Sequence, residues 1–68
     1  MMEITLNNTK EIIPEDNITL AGLIKYKNFT FKMLVTKING QLVRKEDREK
    51  VFIKAGDDVM VLHLISGG

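Results

Sequence analysis

The chain has no cysteine, no tryptophan and one proline, Pro14, and its only aromatics are one tyrosine and three phenylalanines. Without cysteine there is no disulfide framework, no thiolate metal centre and no cysteine nucleophile. The one histidine, His63, cannot build a metal site alone, and the carboxylates show no ligand spacing around it. Ten Lys and Arg against nine Asp and Glu leave a net charge of +1, too small a field to gather nucleic acid. The few aromatics do not alternate with basic residues, so a stacking platform for single strands is also unsupported. Apolar runs fall far short of the ~18 residues that span a bilayer. The N-terminus lacks the basic-then-apolar layout of a signal peptide. These absences predict a cytoplasmic protein that binds no nucleic acid, metal or membrane.

Sixty-eight residues make one domain. A chain of this size buries only about 60% of the surface it exposes when unfolded, so its core is small. It is also short for a deep pocket of the ~300–1,000 Å³ that small-molecule sites occupy, which argues against a self-contained enzyme.

Met2-Glu3-Ile4-Thr5-Leu6 alternates apolar and polar, the period of a half-buried strand. Asn7-Asn8-Thr9 is turn chemistry, Lys10 to Ile13 returns as a second strand, and Pro14 ends the ladder because it has no N–H to donate. Thr19 is a candidate N-cap for a short helix in which Leu20, Leu23, Ile24 and Lys27 share one face. Gly22 costs that helix about 1 kcal/mol relative to alanine, and Asn28 suits the left-handed conformation that ends it.

Phe29 to Ile38 is predicted to be extended at its later end, with either Leu34/Thr36/Ile38 or Met33/Val35 facing inward. Asn39-Gly40, before Gln41-Leu42-Val43, is the strongest local signal, because both central residues of a type I′ turn need positive φ. The run Arg44 to Lys50 mixes both signs and reads as a solvated loop or short helical turn. Lys37, Arg44, Lys45 and Arg48 fit such a solvated face better than a steering patch. Val51-Phe52-Ile53 is a short apolar triplet, and Lys54-Ala55-Gly56-Asp57 turns into a final strand from Asp58 to Ile65. Gly56-Asp57-Asp58 reads as a tight turn and not as a cation site. Val59 and Val61 are predicted to face inward, with Met60 and Leu62 on the other face. The nearly continuous apolar character of this strand predicts a central strand buried on both faces.

The order β-β-α-β-β-β, with one helix against a mixed sheet, predicts a two-layer α+β fold. Residues 1–65 are the domain and residues 66–68, Ser66-Gly67-Gly68, a flexible tail. Two terminal glycines add nothing to stability, but they suit a carboxylate threaded into a narrow active site of another protein. At an average glycine usage of about 7%, chance gives such an end to roughly one chain in two hundred.

Three features coincide: the element order, Ile38-Asn39-Gly40-Gln41-Leu42-Val43, and Ala55-Gly56-Asp57-Asp58-Val59 running without a gap to Gly67-Gly68. Together they resemble the ThiS family of ubiquitin-like sulfur carriers over nearly the whole chain. Departures are Arg44-Lys45 where the family often has Pro-Arg, Arg48 where an aromatic often follows, and a short helix containing Gly22.

The resemblance implies a β-grasp fold and a carrier that is not itself an enzyme. It implies that Gly68 is the site of covalent modification, with Gly67 and Ser66 threading into the partner. An E1-like adenylyltransferase (ThiF-type) would use ATP to adenylate Gly68, the chain binding no cofactor of its own. A cysteine desulfurase or sulfur relay protein would supply the sulfur of a thiocarboxylate. A thiazole synthase (ThiG-type) would receive it for thiamine biosynthesis, and the free carrier would be a monomer. The alternatives are a molybdopterin synthase small subunit, a carrier for tRNA thiolation or amino-acid synthesis, and a plain β-grasp binding module.

Overall fold

The computed structural model describes residues 1–29 and 33–63. The elements are β1 (Met2–Leu6), β2 (Thr9–Ile13), β3 (Ile18–Thr19), α1 (Leu20–Tyr26), β4 (Leu34–Ile38), β5 (Gln41–Val43), β6 (Phe52–Ile53) and β7 (Asp58–His63). A single 3-10 turn, Lys45–Asp47, lies between β5 and β6. Five strands form a mixed sheet in the order β2-β1-β7-β4-β5, and β3 pairs with β6 in a separate two-stranded sheet. Within the larger sheet β1 and β7 run parallel, and every other pair is antiparallel.

The alternation expected of β1 is present, with Met2, Ile4 and Leu6 buried. Asn7 and Asn8, both at positive φ, make the tight turn into β2. Antiparallel register places Ile4 beside Glu11 and Met2 beside Ile13, so the inner face of this hairpin carries Met2, Ile4, Leu6 and Ile13. The open parity of β4 resolves to Leu34, Thr36 and Ile38. Thr36 is buried, and Leu34 and Ile38 pack on the core. Val59 and Val61 of β7 complete the inner face as expected.

Helix α1 closes that face with Leu20 and Leu23, both fully buried, and with half-buried Ile24. Its first amides illustrate how helix ends must find outside partners. Leu20 N–H donates to the Val51 carbonyl and Ala21 N–H to the Arg48 carbonyl, each at 2.9 Å. Gly22 N–H donates to Thr19 Oγ1 at 3.0 Å, the cap expected from sequence. At the other end Asn28 adopts φ +60°. Asn28 N–H reaches the Lys25 carbonyl and Phe29 N–H the Ile24 carbonyl, each at 3.0 Å. This is a Schellman closure, with Phe29 and Ile24 both packed on the core. Lys27, at the helix edge, pairs with Glu11 of β2 at 3.0 Å.

Three expectations are corrected. The strand Ile18–Thr19 was not foreseen; it pairs with β6 and places the N-cap residue in a sheet. Two residues are too few to show a period, so only the partner strand reveals it. β7 is central but is not covered on both faces. Met60 is half-buried and Leu62 is 42% exposed, because α1 lies on the other side of the sheet. Arg48 is not a solvated side chain. It is half-buried, its Nε donating to Thr36 Oγ1 at 3.1 Å and its Nη2 to the Leu34 carbonyl at 2.7 Å. Thr36 Oγ1 in turn donates a hydrogen bond to the Val43 carbonyl at 2.7 Å. One guanidinium thus holds the mixed-charge segment against β4.

Gly22 has a packing reason. A Cβ there would meet Ile18 Cγ1 at 2.9 Å and Thr19 Oγ1 at 3.2 Å. Gly22→Ala therefore sets a propensity gain of about 1 kcal/mol against an overpacking cost of ~1–3 kcal/mol. The expected result is a net loss near ~1 kcal/mol in urea denaturation, where an unhindered helix position would gain. Arg48→Met removes both donors to β4 and is expected to cost ~1–3 kcal/mol by the same measurement. A solvated position would change stability by no more than about 0.5 kcal/mol.

Candidate functional site

The predicted site residues Ser66, Gly67 and Gly68 lie outside the described residues, as do Leu64 and Ile65 at the end of the predicted strand. What the structure provides is the strand that delivers the chain toward them. β7 is flanked by β1 on one side and β4 on the other, and its last described residue is His63, which is exposed.

The two edges of β7 are held differently. Toward β4 the register runs unbroken from Ile38 beside Val59 to Leu34 beside His63. Toward β1 the parallel pairing is short, matching Thr5 with Asp58 and Leu6 with Val59. The β1–β2 turn then leaves the sheet, and Asn7 extends the ladder. Its backbone N–H donates to the Val59 carbonyl at 2.9 Å. Its side-chain amide then acts as one further peptide unit. Nδ2 donates to the Val61 carbonyl at 3.1 Å, and Oδ1 accepts from Val61 N–H at 2.8 Å. Sequence reading assigned Asn7 to a turn and missed this second task. No local signal marks it, because a two-residue turn with positive φ at both positions already accounts for the Asn-Asn pair.

The start of β7 is fixed by a second set of polar contacts. Gly40 and Gly56 sit at φ +82° and +85°, and Asn39 at +52°, as the Asn-Gly hairpin and the Gly-Asp turn require. Asn39 Oδ1 accepts from Asp58 N–H at 2.9 Å, and Asn39 Nδ2 donates to Asp57 Oδ1 at 3.1 Å. Asp57 Oδ2 accepts from Lys54 N–H at 2.8 Å. The Gly56-Asp57-Asp58 segment is thus a turn whose carboxylate is spent on its own backbone and on Asn39. No cluster of metal-ligating residues occurs among the described residues.

The sheet face opposite the helix is uncovered. By register Lys37 lies between Leu42 of β5 and Met60 of β7, with Val35 and Leu62 in the adjacent row. Leu42 is 63% exposed and Leu62 42%. The result is an apolar patch around one lysine, running up to the last described turn of β7. Lys37 therefore stands on an apolar face and not among the solvated charges of the 44–50 loop. This patch is invisible to periodicity, because exposed and buried rows of a sheet both alternate with period two.

A groove of about 560 Å³ lies between the β4–β5 hairpin and the 3-10 turn, with Asp47 and Lys50 among its walls. Its volume falls within the range expected only of longer chains, but Asn39, Gln41, Leu42 and Lys50 on its rim are exposed, so it is an open trough. It holds no paired carboxylates and no nucleophile with a base. No helix among the described residues is long and apolar enough to cross a membrane.

The fold is similar to that of solved structures. One is the crystal structure of a thiamine biosynthesis protein (ThiS) from Geobacter metallireducens. It has a TM-score of 0.87 and 20% identity, over 98% of this chain and 100% of that one. Another is an NMR solution structure of a thiamine biosynthesis protein from the same organism. Its TM-score is 0.80 at 20% identity, over 98% of this chain and 88% of that one. At that identity the likeness establishes the architecture, a β-grasp sheet with one helix across it. No curated protein matches the sequence. The ThiS family model matches residues 1–68, and the chain belongs to the ThiS family.

Proposed function

We propose that this protein is a sulfur carrier for thiazole formation in thiamine biosynthesis, with residues 1–65 as the folded body and Ser66-Gly67-Gly68 as the working tail. Membership of the ThiS family over residues 1–68 carries this reading. In this reading the folded body is held by its partners, which perform the chemistry on the tail.

A carboxylate is a poor electrophile, being anionic with oxide as its leaving group. An E1-like adenylyltransferase of the ThiF type joins the Gly68 carboxylate to the α-phosphate of ATP and releases pyrophosphate. The terminal sulfur of a protein persulfide, charged by a cysteine desulfurase or relay protein, attacks the acyl carbon, and AMP departs. A thiol cleaves the resulting acyl disulfide, leaving the Gly68 thiocarboxylate and an oxidised disulfide partner. A thiazole synthase of the ThiG type then takes the sulfur. Gly67 keeps the approach to the acyl carbon clear, since no side chain flanks it. The absence of cysteine from the chain means that no internal thiol captures the activated acyl group. The carrier is a cytoplasmic monomer when free and binds no cofactor of its own.

The uncovered sheet face suits the enzyme that activates the tail. Val35, Leu42, Met60 and Leu62 form an apolar centre, and two of them lie on β7, the last described strand before the tail. A few well-packed, desolvated residues carry most of the energy of such interfaces.

Intact mass after incubation with ATP, a ThiF-type enzyme and a persulfide donor should show one oxygen-to-sulfur exchange, and deletion of Gly68 should remove it without changing the melting temperature. Failure to form adenylate or thiocarboxylate with any E1-like enzyme of the source organism sinks the carrier reading. Leu62→Glu should raise the KM of adenylation at least tenfold, on a hot-spot cost of ~2 kcal/mol, with kcat and the far-UV spectrum unchanged. An unaltered KM would place docking elsewhere.

A further inference from the structure

Asn39 is the one asparagine of the chain followed by glycine; Asn7, Asn8, Asn17 and Asn28 precede Asn8, Thr9, Ile18 and Phe29. Glycine leaves its own backbone nitrogen the least hindered of any residue, so Asn-Gly is the pairing at which that nitrogen most readily reaches the preceding side-chain amide. Asn39-Gly40 sits on an exposed two-residue turn, where solvent base and water have access.

The same side chain is the joint between two turns. Its Oδ1 accepts from Asp58 N–H and its Nδ2 donates to Asp57 Oδ1, while its backbone N–H donates to the Asp58 carbonyl at 2.7 Å. Asp57 in turn ties Lys54 N–H and, through its own carbonyl, Thr5 N–H at 2.9 Å. The β4–β5 hairpin, the turn before β7 and the middle of β1 therefore meet at one amide and one carboxylate.

We propose that Asn39 is a deamidation site, latched by Asp57 and Asp58 while the fold is intact, and that its conversion to a carboxylate unlatches the start of β7. The Gly40 nitrogen gives its proton to solvent base and bonds to Asn39 Cγ. The Cγ–Nδ2 bond breaks, and Nδ2 leaves as ammonia with the proton returned from solvent. Water opens the five-membered imide at either carbonyl to give aspartate or isoaspartate. One water is consumed and one ammonia released, with no change of oxidation state.

The folded chain slows the first step, because swinging the amide over Gly40 gives up both side-chain hydrogen bonds. The product reverses the sign of the joint. An oxygen replaces the donor that faced Asp57 Oδ1 at 3.1 Å, and two carboxylates at that separation repel. Isoaspartate also adds a backbone carbon to a turn that fits only two residues at positive φ. This inference stands apart from the carrier reading, since nothing in it involves the tail.

The test is peptide mapping by mass spectrometry after incubation of the intact protein at 37 °C and mildly alkaline pH. Asn39 should convert faster than the other four asparagines, and Asp57→Ala should speed it several-fold. Val61→Ala, a core change away from the joint, serves as the control for general loosening and should accelerate Asn39 less at matched stability. In thermal melts N39D should lower Tm by several degrees, and the N39D/D57N double variant should recover most of it by restoring one donor to the pair. Conversion of Asn39 no faster than of its neighbours, a rate unmoved by Asp57→Ala beyond the Val61→Ala control, or an N39D melt equal to the parent would each overturn the proposal.

Discussion

The backbone of β7 has to be satisfied along both edges, because β7 is the central strand of the sheet and a buried peptide group without a partner is costly. One edge is met simply. β4 runs antiparallel beside it from Leu34 to Ile38, and a two-residue turn supplies β5 on the far side. The other edge depends on β1, which runs parallel and is too short, matching β7 only at Thr5 and Leu6. The deficit is met by the Asn7 side chain, whose amide has the donor and acceptor of one more peptide unit. The parallel pairing also forces the long route of the chain between β2 and β4, and that route contains α1.

From that constraint the two faces of the sheet acquire different fates. A single seven-residue helix is enough to cover one face, where Ile4, Leu6, Ile13, Val59 and Val61 meet Leu20 and Leu23. None of the other described elements covers the opposite face. The helix is itself held by the segment it crosses, since two of its first three amides end on carbonyls of residues 48 and 51. Arg48 then returns from that segment to β4. Helix, charged loop and sheet are thereby closed into a ring of hydrogen bonds around a core that is small for lack of chain. In such a domain a lost polar contact removes a larger share of the total stability than in a larger one.

Much of this was legible before the fold was known. The first hairpin, the Thr19 cap, the Asn28 terminus and the Asn-Gly turn all rest on local rules, because each is set by the φ or the hydrogen-bonding reach of one or two residues. Where reading failed, the missing information was a partner distant in sequence. Ile18–Thr19 is a strand only because Phe52–Ile53 lies beside it. Arg48 belongs to a charged run in sequence, and only the approach of β4 turns it into a half-buried donor. The apolar run of β7 was read as two covered faces, yet strand character does not reveal whether a second layer exists. The proposed site rests on the composition of Ser66-Gly67-Gly68 alone, since those residues lie outside the described residues.

By itself the sequence determined the turns, the caps, the inward valines of β7 and the exclusion of thiol and disulfide chemistry. These are consequences of side-chain size, conformational freedom and functional-group inventory, all carried residue by residue. Only the tertiary structure decided which asparagine completes a ladder and which joins two turns. It also decided that Arg48 is held inside, that Gly22 makes room for Ile18, and that Leu42 and Leu62 share an open face. The reason is physical: each of those roles is a contact between segments brought together by the sheet, and a contact of that kind has no representation in local order.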